Sequence, residues 1–259
     1  MTDQIAIANF NLQARHGSPL LWWTCVFMAI GMLMCFSMQY FDTRLIAGVS
    51  VWEKPAKFFL SLIVQAATVA WAISLLERPA RGIKTATWLF VAAVIVEMFY
   101  MIYRASRGEA SHFNTGTPFA AFMYAVMGVG SLTLVATSAF VGLRVWQQRG
   151  SNLLSEAAGF GLIFGALLGT IAGAYLSSHN SHWIGGDQND ATGLGFFHWS
   201  TTGGDLRVAH FIGLHTSQAL PLAALTGSRW VVYGVAIVCA VLMAAAFGMA
   251  TLGIPVLRG

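Results

Sequence analysis

The histidines of this sequence are its first candidates for metal binding and proton transfer, because imidazole is the commonest metal ligand and titrates close to neutral pH. The chain has seven histidines. Five stand near one another or near other polar residues and are the candidate metal ligands: His112, His179, His182, His210 and His215. Imidazole combined with carboxylate suits iron, copper or zinc, and histidines on facing helices suit haem. We therefore expect a transition metal (iron, copper or zinc) or haem b.

The spacing of the histidines limits how they could share one centre. His179 and His182, in SSHNSHW, would share a helical face if the preceding helix continued through them. His210 and His215, in HFIGLH, are five residues apart and point about 140° apart on one helix, so an undistorted helix does not offer both to one metal. His112 follows Glu109 at the ExxH spacing of carboxylate-bridged di-iron bundles, of which the sequence has no second copy.

Acid–base chemistry is expected of Glu97, because an ionisable residue inside an apolar segment is energetically costly and marks a functional site. Glu97 would be a ligand or a proton carrier, whereas Arg104 and Arg207 would hold an anionic group. Arg104 follows Glu97 by seven residues and so shares its helical face. Three further side chains are expected to contact a cofactor or substrate: Gln65, Tyr100 and Gln218. The alternative is ordinary packing, with Glu97 protonated.

Three of these polar residues are predicted to lie at one depth in the membrane. The residues are Gln65, Glu97 and His215. If Lys57, Arg104 and Arg207 mark the membrane interface, the helical rise places these three residues roughly 10–12 Å below it, inside the membrane. A shared level would make them the floor of a pocket.

The elements that must position these residues are transmembrane helices. Only 9% of the residues are charged and 57% are hydrophobic, whereas soluble domains carry about a quarter charged residues, so a soluble protein is excluded. Seven apolar runs are of the length that crosses a bilayer: 19–40, 58–76, 87–103, 119–145, 157–177, 208–225 and 230–255. The sequence predicts an all-α polytopic membrane protein whose residues 1–259 form one bundle of about seven transmembrane helices.

Seven spans divide the connections between two sides, and side one is defined as the side of the N-terminus. Seven Lys and Arg residues fall on each side, so the positive-inside rule does not decide the orientation. Most acids and six of the seven histidines lie at or near side two. We expect a cell (inner) membrane protein with a cytoplasmic N-terminus and a C-terminus on the periplasmic or external side.

Two local patterns predict how the histidine-rich end is held together. Gly161, Gly165, Gly169 and Gly173 recur every four residues, which is typical of close helix packing. Asp205 stands before an apolar run, where a carboxylate caps the first turn of a helix. The aromatic residues of FFHWSTTGG suggest a loop that folds back onto the bundle. Whether His198, Asp187 and Asp190 belong to the site is left open.

The leading functional hypothesis is a membrane metal- or haem-binding oxidoreductase that acts on a quinone or another lipophilic small molecule. One alternative is a proton-coupled transporter or channel using Glu97 and His215, although no inverted repeat is recognisable. Another is a metal-free lipid-modifying enzyme with a histidine–carboxylate pair. The expected partners are the lipid bilayer, the lipophilic substrate, and a second copy or other subunits of a membrane complex. Nucleic acid is not expected.

Overall fold

Long apolar helices make up most of the structure, a computed structural model that describes residues 10–258. The helices are α1 (Phe10–Gly17), α2 (Pro19–Phe41), α3 (Glu53–Ser74), α4 (Ile83–Ser106), α5 (Pro118–Gln148), α6 (Leu153–Ser178), α7 (Leu206–Ala224) and α8 (Arg229–Thr251). Two antiparallel pairs of two-residue strands lie in side-two connections: β1 (Leu45–Ile46) with β2 (Val49–Ser50), and β3 (Trp183–Ile184) with β4 (Gly204–Asp205).

The prediction of an all-α, polytopic membrane protein is confirmed. Each of the seven predicted spans coincides with one of the helices α2 to α8. Six of these helices, all but α7, are long and apolar enough to cross a membrane. Helix α7 has 19 residues, about 28 Å at the usual helical rise. It carries Arg207, His210, His215 and Gln218, which lower its hydropathy.

Polar caps define where the helices begin. Ser18 and Thr117 each precede a proline at the first helical position, and their hydroxyls accept hydrogen bonds from the backbone N–H groups three residues on. The side-chain oxygen of Asn152 caps α6 by accepting hydrogen bonds from the backbone N–H groups of Leu154 and Ser155. Asp205 caps α7, as predicted, by accepting a bond of 3.0 Å from the Arg207 N–H. These caps satisfy N–H groups that would otherwise be left without partners at the membrane surface.

The glycine repeat of α6 packs against α7, which confirms the prediction of a close helix contact. An added Cβ at Gly165 would lie 2.9 Å from the Ser217 backbone nitrogen and 3.1 Å from the Leu214 carbonyl oxygen. At Gly173 it would lie 2.9 Å from the Cε1 atom of His210. The absence of side chains at these positions therefore lets the two backbones approach, and it brings the N-terminal end of α7 against the end of α6 that leads into the histidine-rich loop.

We predict that Gly165→Ala separates α6 from α7 and destabilises the protein, because the new methyl group meets rigid backbone; overpacking of this kind costs about 1–3 kcal/mol. Gly234→Ala is the matched control, since an added Cβ there has no atom within 4 Å. Thermal unfolding in detergent, followed by circular dichroism, should show a lower melting temperature for Gly165→Ala only. Equal melting temperatures for the two variants would contradict the packing role.

Candidate functional site

Charged and imidazole side chains gather at the side-two end of the bundle, where the N-terminal turns of α3 and α7 meet the connection of residues 179–205. We call this connection the histidine loop. The residues that form the gathering, called the polar cluster below, are Glu53, Lys54, Lys57, His182, Asp190, His198, Asp205 and Arg207. The cluster joins one loop to two helices.

Arg207 fastens the histidine loop to α7. Its Nε atom donates to Asp205 Oδ1 at 2.9 Å, and its Nη2 atom donates to Asp205 Oδ2 at 2.6 Å. The same Nη2 atom lies 2.9 Å from Asp190 Oδ1 and 2.7 Å from the carbonyl oxygen of His198. Charge-assisted bonds from a planar guanidinium are both strong and directional. Because Asp205 is only 2% exposed, these bonds also neutralise a buried carboxylate.

A second set of bonds fastens the histidine loop to α3. His198 Nε2 lies 2.5 Å from Glu53 Oε1, and Lys57 Nζ lies 2.6 Å from the same oxygen.

Aromatic residues of the histidine loop also pack on α7. Phe197 and Trp199 pack their rings against Phe211 of α7, at centroid distances of 5.0 and 5.4 Å. The expectation that this aromatic segment folds back onto the bundle is therefore confirmed.

His182 and Asp190 face each other inside the histidine loop. His182 Nε2 is 3.7 Å from Asp190 Oδ1, too far for a hydrogen bond, and it is buried with no other partner. Burial lowers the pKa of His182, although Asp190 opposes the shift. Burial alone would raise the pKa of Asp190, but His182 and Arg207 hold that pKa below its usual range. At neutral pH the pair is therefore a neutral imidazole beside a carboxylate.

His112 lies in an aromatic pocket next to the polar cluster. Its Nδ1 atom is 3.0 Å from the Ser111 hydroxyl, and its ring lies 5.3 Å from Phe58 and 6.3 Å from Phe113. Phe113 in turn lies 6.0 Å from the ring of His182. Burial, reinforced by the positive charge of a nearby lysine, holds the pKa of His112 well below its usual value. His112 is consequently neutral at pH 7.

Helix α4 carries two buried polar groups without complete partners. Glu97 is 2% exposed; its Oε1 atom accepts a bond of 3.1 Å from the Ser131 hydroxyl, and its Oε2 atom has no partner. Tyr100, one turn closer to side two, is also 2% exposed, and its hydroxyl has no partner. Arg104, another turn on, pairs with Glu109 at 2.6 Å. Most buried polar groups in proteins are hydrogen-bonded, so these two exceptions require an explanation.

Tyr100 connects these groups to the surroundings of the polar cluster. It packs with Met101 and Met127 in a small apolar cluster, and Phe58 packs against that cluster. Phe58 also lies 6.0 Å from the Lys54 ammonium. Glu97 and Tyr100, one turn apart on α4, and the apolar side chains around Tyr100 form a region that we call the inner site. Phe58 places Lys54 of the polar cluster beside it.

Gln65 and Gln218 meet in a separate polar network deeper in the bundle. Gln218 Nε2 donates to Gln65 Oε1 at 3.2 Å and to the Thr68 hydroxyl at 3.0 Å. Gln65 Nε2 donates to the Ser138 hydroxyl at 3.0 Å. The Oε1 atom of Gln218 is buried without a partner.

The prediction that Gln65 and Glu97 share one depth is wrong. Gln65 contacts Ser138 and Glu97 contacts Ser131, seven residues apart on α5 and therefore about 10 Å apart along its axis. Lys57, Arg104 and Arg207 do not mark the membrane surface at one level, because each of these cations is held by an acidic partner.

The predicted ligands His179 and His182 do not share a helical face. Helix α6 ends at Ser178, His179 is its C-cap, and the chain then turns. His179 is exposed and stacks on Tyr175, with ring centroids 6.1 Å apart. His182 instead faces Asp190 inside the histidine loop.

His210 and His215, the two histidines of α7, have different surroundings. His210 Nδ1 lies 2.9 Å from the Gly169 carbonyl oxygen, a hydrogen bond between α7 and α6. His215 packs on Phe211, with ring centroids 4.1 Å apart. Within residues 10–258, no three His, Cys, Asp or Glu side chains lie close enough together to hold a metal ion. The metal and haem assignments stay predictions.

Sequence reasoning missed three contributors to the site: Glu53, Lys54 and Ser131. The first two stand in WEKPAK, where three charged residues begin an apolar helix. That concentration of charge at the start of a span was the available signal. Ser131 gave no signal, because a serine in an apolar helix more often bonds its own backbone.

The chain matches no protein-family model, no curated protein and no solved structure. Any function must therefore be argued from the site itself.

We predict that Arg207→Gln releases the histidine loop from α7. The substitution leaves Asp205 and Asp190 without a cation, and breaking a buried ion pair costs about 3–5 kcal/mol. Arg44→Gln is the control, because its pair with Asp42 involves a side chain that is 49% exposed, and surface pairs contribute about 0–1 kcal/mol. Hydrogen–deuterium exchange should rise across residues 179–205 in Arg207→Gln alone. Unchanged exchange there would contradict the fastening role.

Proposed function

We propose that the protein is a membrane oxidoreductase that binds a lipophilic molecule of the quinone class at the inner site and exchanges a proton with it through Glu97. The observation that carries the proposal is the pair of unpartnered groups on one face of α4, the Glu97 Oε2 atom and the Tyr100 hydroxyl. A carboxyl group and a phenol beside one another offer a proton acceptor and a hydrogen-bond donor. Those are the groups that the hydroxyl and carbonyl oxygens of quinols and quinones need.

The side chains around Glu97 and Tyr100 favour a lipophilic ligand. Tyr100, Met101 and Met127 pack together, with Phe58 against them. Ligand sites for apolar molecules are lined mainly by hydrophobic and aromatic side chains, with a few polar groups that fix orientation. Methionine adapts to irregular ligand shapes because its side chain is flexible and polarizable.

The side-one half of the bundle favours a site with one entrance over a transport path. Beyond the Gln65–Gln218 network most buried side chains of the described residues are apolar, including Val69, Phe90, Val141, Val145, Leu162 and Leu220. The buried polar groups Thr87 and Glu156 there are engaged, with a backbone carbonyl and with Arg229. A proton or ion moving through the bundle would therefore meet few free polar partners, which is energetically costly. We therefore prefer an enzyme to the proton-coupled transporter.

Oxidation of a quinol releases two protons and two electrons, so the proposal requires an electron carrier. We propose haem or a redox-active metal for this role, with His210 as the leading ligand. The bond between His210 Nδ1 and the Gly169 carbonyl supports the choice, because ligating histidines commonly donate their second ring N–H to a carbonyl group. Such a group would supply electron transfer, while Glu97 would accept the two protons in turn, passing the first to solvent before it takes up the second.

The test is oxidation of decylubiquinol by the purified protein in lipid nanodiscs, with ferricyanide as the final electron acceptor. Glu97→Gln keeps an acceptor for the Ser131 hydroxyl but removes the proton acceptor. We expect it to lower kcat by about 100-fold or more, the usual contribution of a general base, with little change in quinol affinity. Glu77→Gln, at an exposed glutamate on side one, should leave kcat unchanged.

Two results would overturn the proposal: full activity in Glu97→Gln, or no binding of decylubiquinol or decylubiquinone to the unmodified protein. An absorption spectrum and a metal analysis of the same preparation test the electron carrier separately. A haem Soret band that is lost in His210→Ala but kept in His16→Ala would support His210 as the ligand. A spectrum without haem and a preparation without iron or copper would exclude this electron carrier.

A further inference from the structure

The cations at the side-one end of the bundle differ from those at side two in their lack of acidic partners. At side two, five cations have an acidic partner within 4 Å: Arg44, Lys57, Arg104, Arg107 and Arg207. Within residues 10–258, the one side-one cation with such a partner is Arg229, which pairs with Glu156. The other basic residues of side one therefore carry positive charge that ion pairs do not neutralise in the described part of the chain.

Four of these cations stand on two chain segments that are bonded to each other, and we call the four the basic patch: Arg78, Arg81, Lys84 and Arg144. The backbone N–H of Arg78 donates to Gln148 Oε1 at 2.9 Å, and Gln148 Nε2 donates to the Arg78 carbonyl oxygen at 3.1 Å. These bonds fasten the connection between α3 and α4 to the last turn of α5. Arg144 stands one turn before Gln148 on that helix.

The ring of Phe140 brings the same two segments together a second time. The guanidinium carbon of Arg144 lies 4.8 Å from the centre of this ring. An added Cβ at Gly82, the residue after Arg81, would lie 2.8 Å from the Phe140 Cζ atom. Lys84 follows in the first turn of α4 and is exposed. The segments that carry the four cations therefore meet at one place on the surface.

Arg144 shows that the charge of the basic patch is incompletely compensated. Its Nε atom is buried and has no hydrogen-bond partner, and its Nη1 atom donates to the neutral side chain of Gln147 at 3.1 Å. Glu77, the acid that precedes Arg78, is exposed and forms no ion pair with these cations in the described residues. Since buried N–H groups are normally paired and guanidinium groups bind phosphate oxygens well, the patch suits a phosphate group.

The apolar side chains beside the basic patch favour a phospholipid over a soluble anion or an acidic protein. Trp88, one turn after Lys84 on α4, is 56% exposed, and Leu143, next to Arg144 on α5, is 41% exposed. Both helices are long and apolar enough to cross a membrane, and tryptophan is enriched where a protein meets the headgroup level. A phospholipid matches both the cations and the apolar surface, whereas an acidic protein matches the cations alone.

We propose that the basic patch binds the phosphate of an anionic phospholipid, whose acyl chains lie along the exposed apolar surfaces of α4 and α5. Basic residues clustered next to a membrane span attract anionic headgroups. The proposal is independent of the proposed function, because the inner site lies in the side-two half of α4 and the basic patch lies at side one.

The test measures the binding of single lipids to the delipidated protein in detergent by native mass spectrometry. The two probes, dioleoylphosphatidylglycerol and dioleoylphosphatidylcholine, have the same acyl chains and differ in headgroup charge. We expect the anionic lipid to bind at least about tenfold more tightly, the equivalent of about 1.4 kcal/mol. Equal affinities would overturn the proposal and would favour an acidic protein as the partner of the basic patch.

Double variants locate the site. Arg81→Gln combined with Arg144→Gln should abolish most of the preference for the anionic lipid. Arg44→Gln combined with Arg107→Gln removes the same charge from exposed side chains at side two and should keep it. Arg81→Lys combined with Arg144→Lys should also keep it, because the charge is retained. The affinity for phosphatidylcholine, which should not change, controls for misfolding. A preference that survives in the first variant, or that falls equally in the side-two variant, would contradict the assignment to the basic patch.

Discussion

The fork of hydrogen bonds from Arg207 is the interaction on which the functional end of the molecule depends. It joins the cap of α7 to Asp190 and to the backbone at His198, and so it holds the histidine loop over the bundle. Without it, two carboxylates would lose their cation beside an apolar interior. Arg207 holds Asp190, which faces His182, and it also holds the backbone of His198, whose side chain contacts Glu53 of α3. Both histidines are therefore positioned by this anchor.

Ion pairs neutralise most of the charges at the side-two end, as expected where charges meet a low-dielectric environment. Among the described residues there, five buried atoms have no partner: the Glu97 Oε2 atom and the Tyr100 hydroxyl of α4, and the His182 Nε2, Trp183 Nε1 and His198 Nδ1 atoms of the histidine loop. The two groups of α4 stand beside aromatic and methionine side chains, which supports a lipophilic ligand at that position.

The sequence predicted the helices well and the site only in part. Apolar runs, polar caps such as Asp205 and the glycine repeat of α6 report on local chemistry, so they could be interpreted without coordinates. The depth of a residue in the membrane could not be predicted from the sequence, because Arg104 and Arg207 pair with acidic partners instead of marking the membrane surface. The path of the chain after Ser178 could not be predicted either, because it depends on a contact between His198 and Glu53, which are 145 positions apart in sequence.

The proposed function depends on contact between the Glu97 Oε2 atom and the substrate. Infrared difference spectroscopy of the protein in nanodiscs, recorded on addition of decylubiquinol, tests it directly. We expect a change in a protonated-carboxyl C=O band that is absent in Glu97→Gln and present in Glu77→Gln. A difference spectrum without a carboxyl band, or one that is identical in Glu97→Gln, would contradict it.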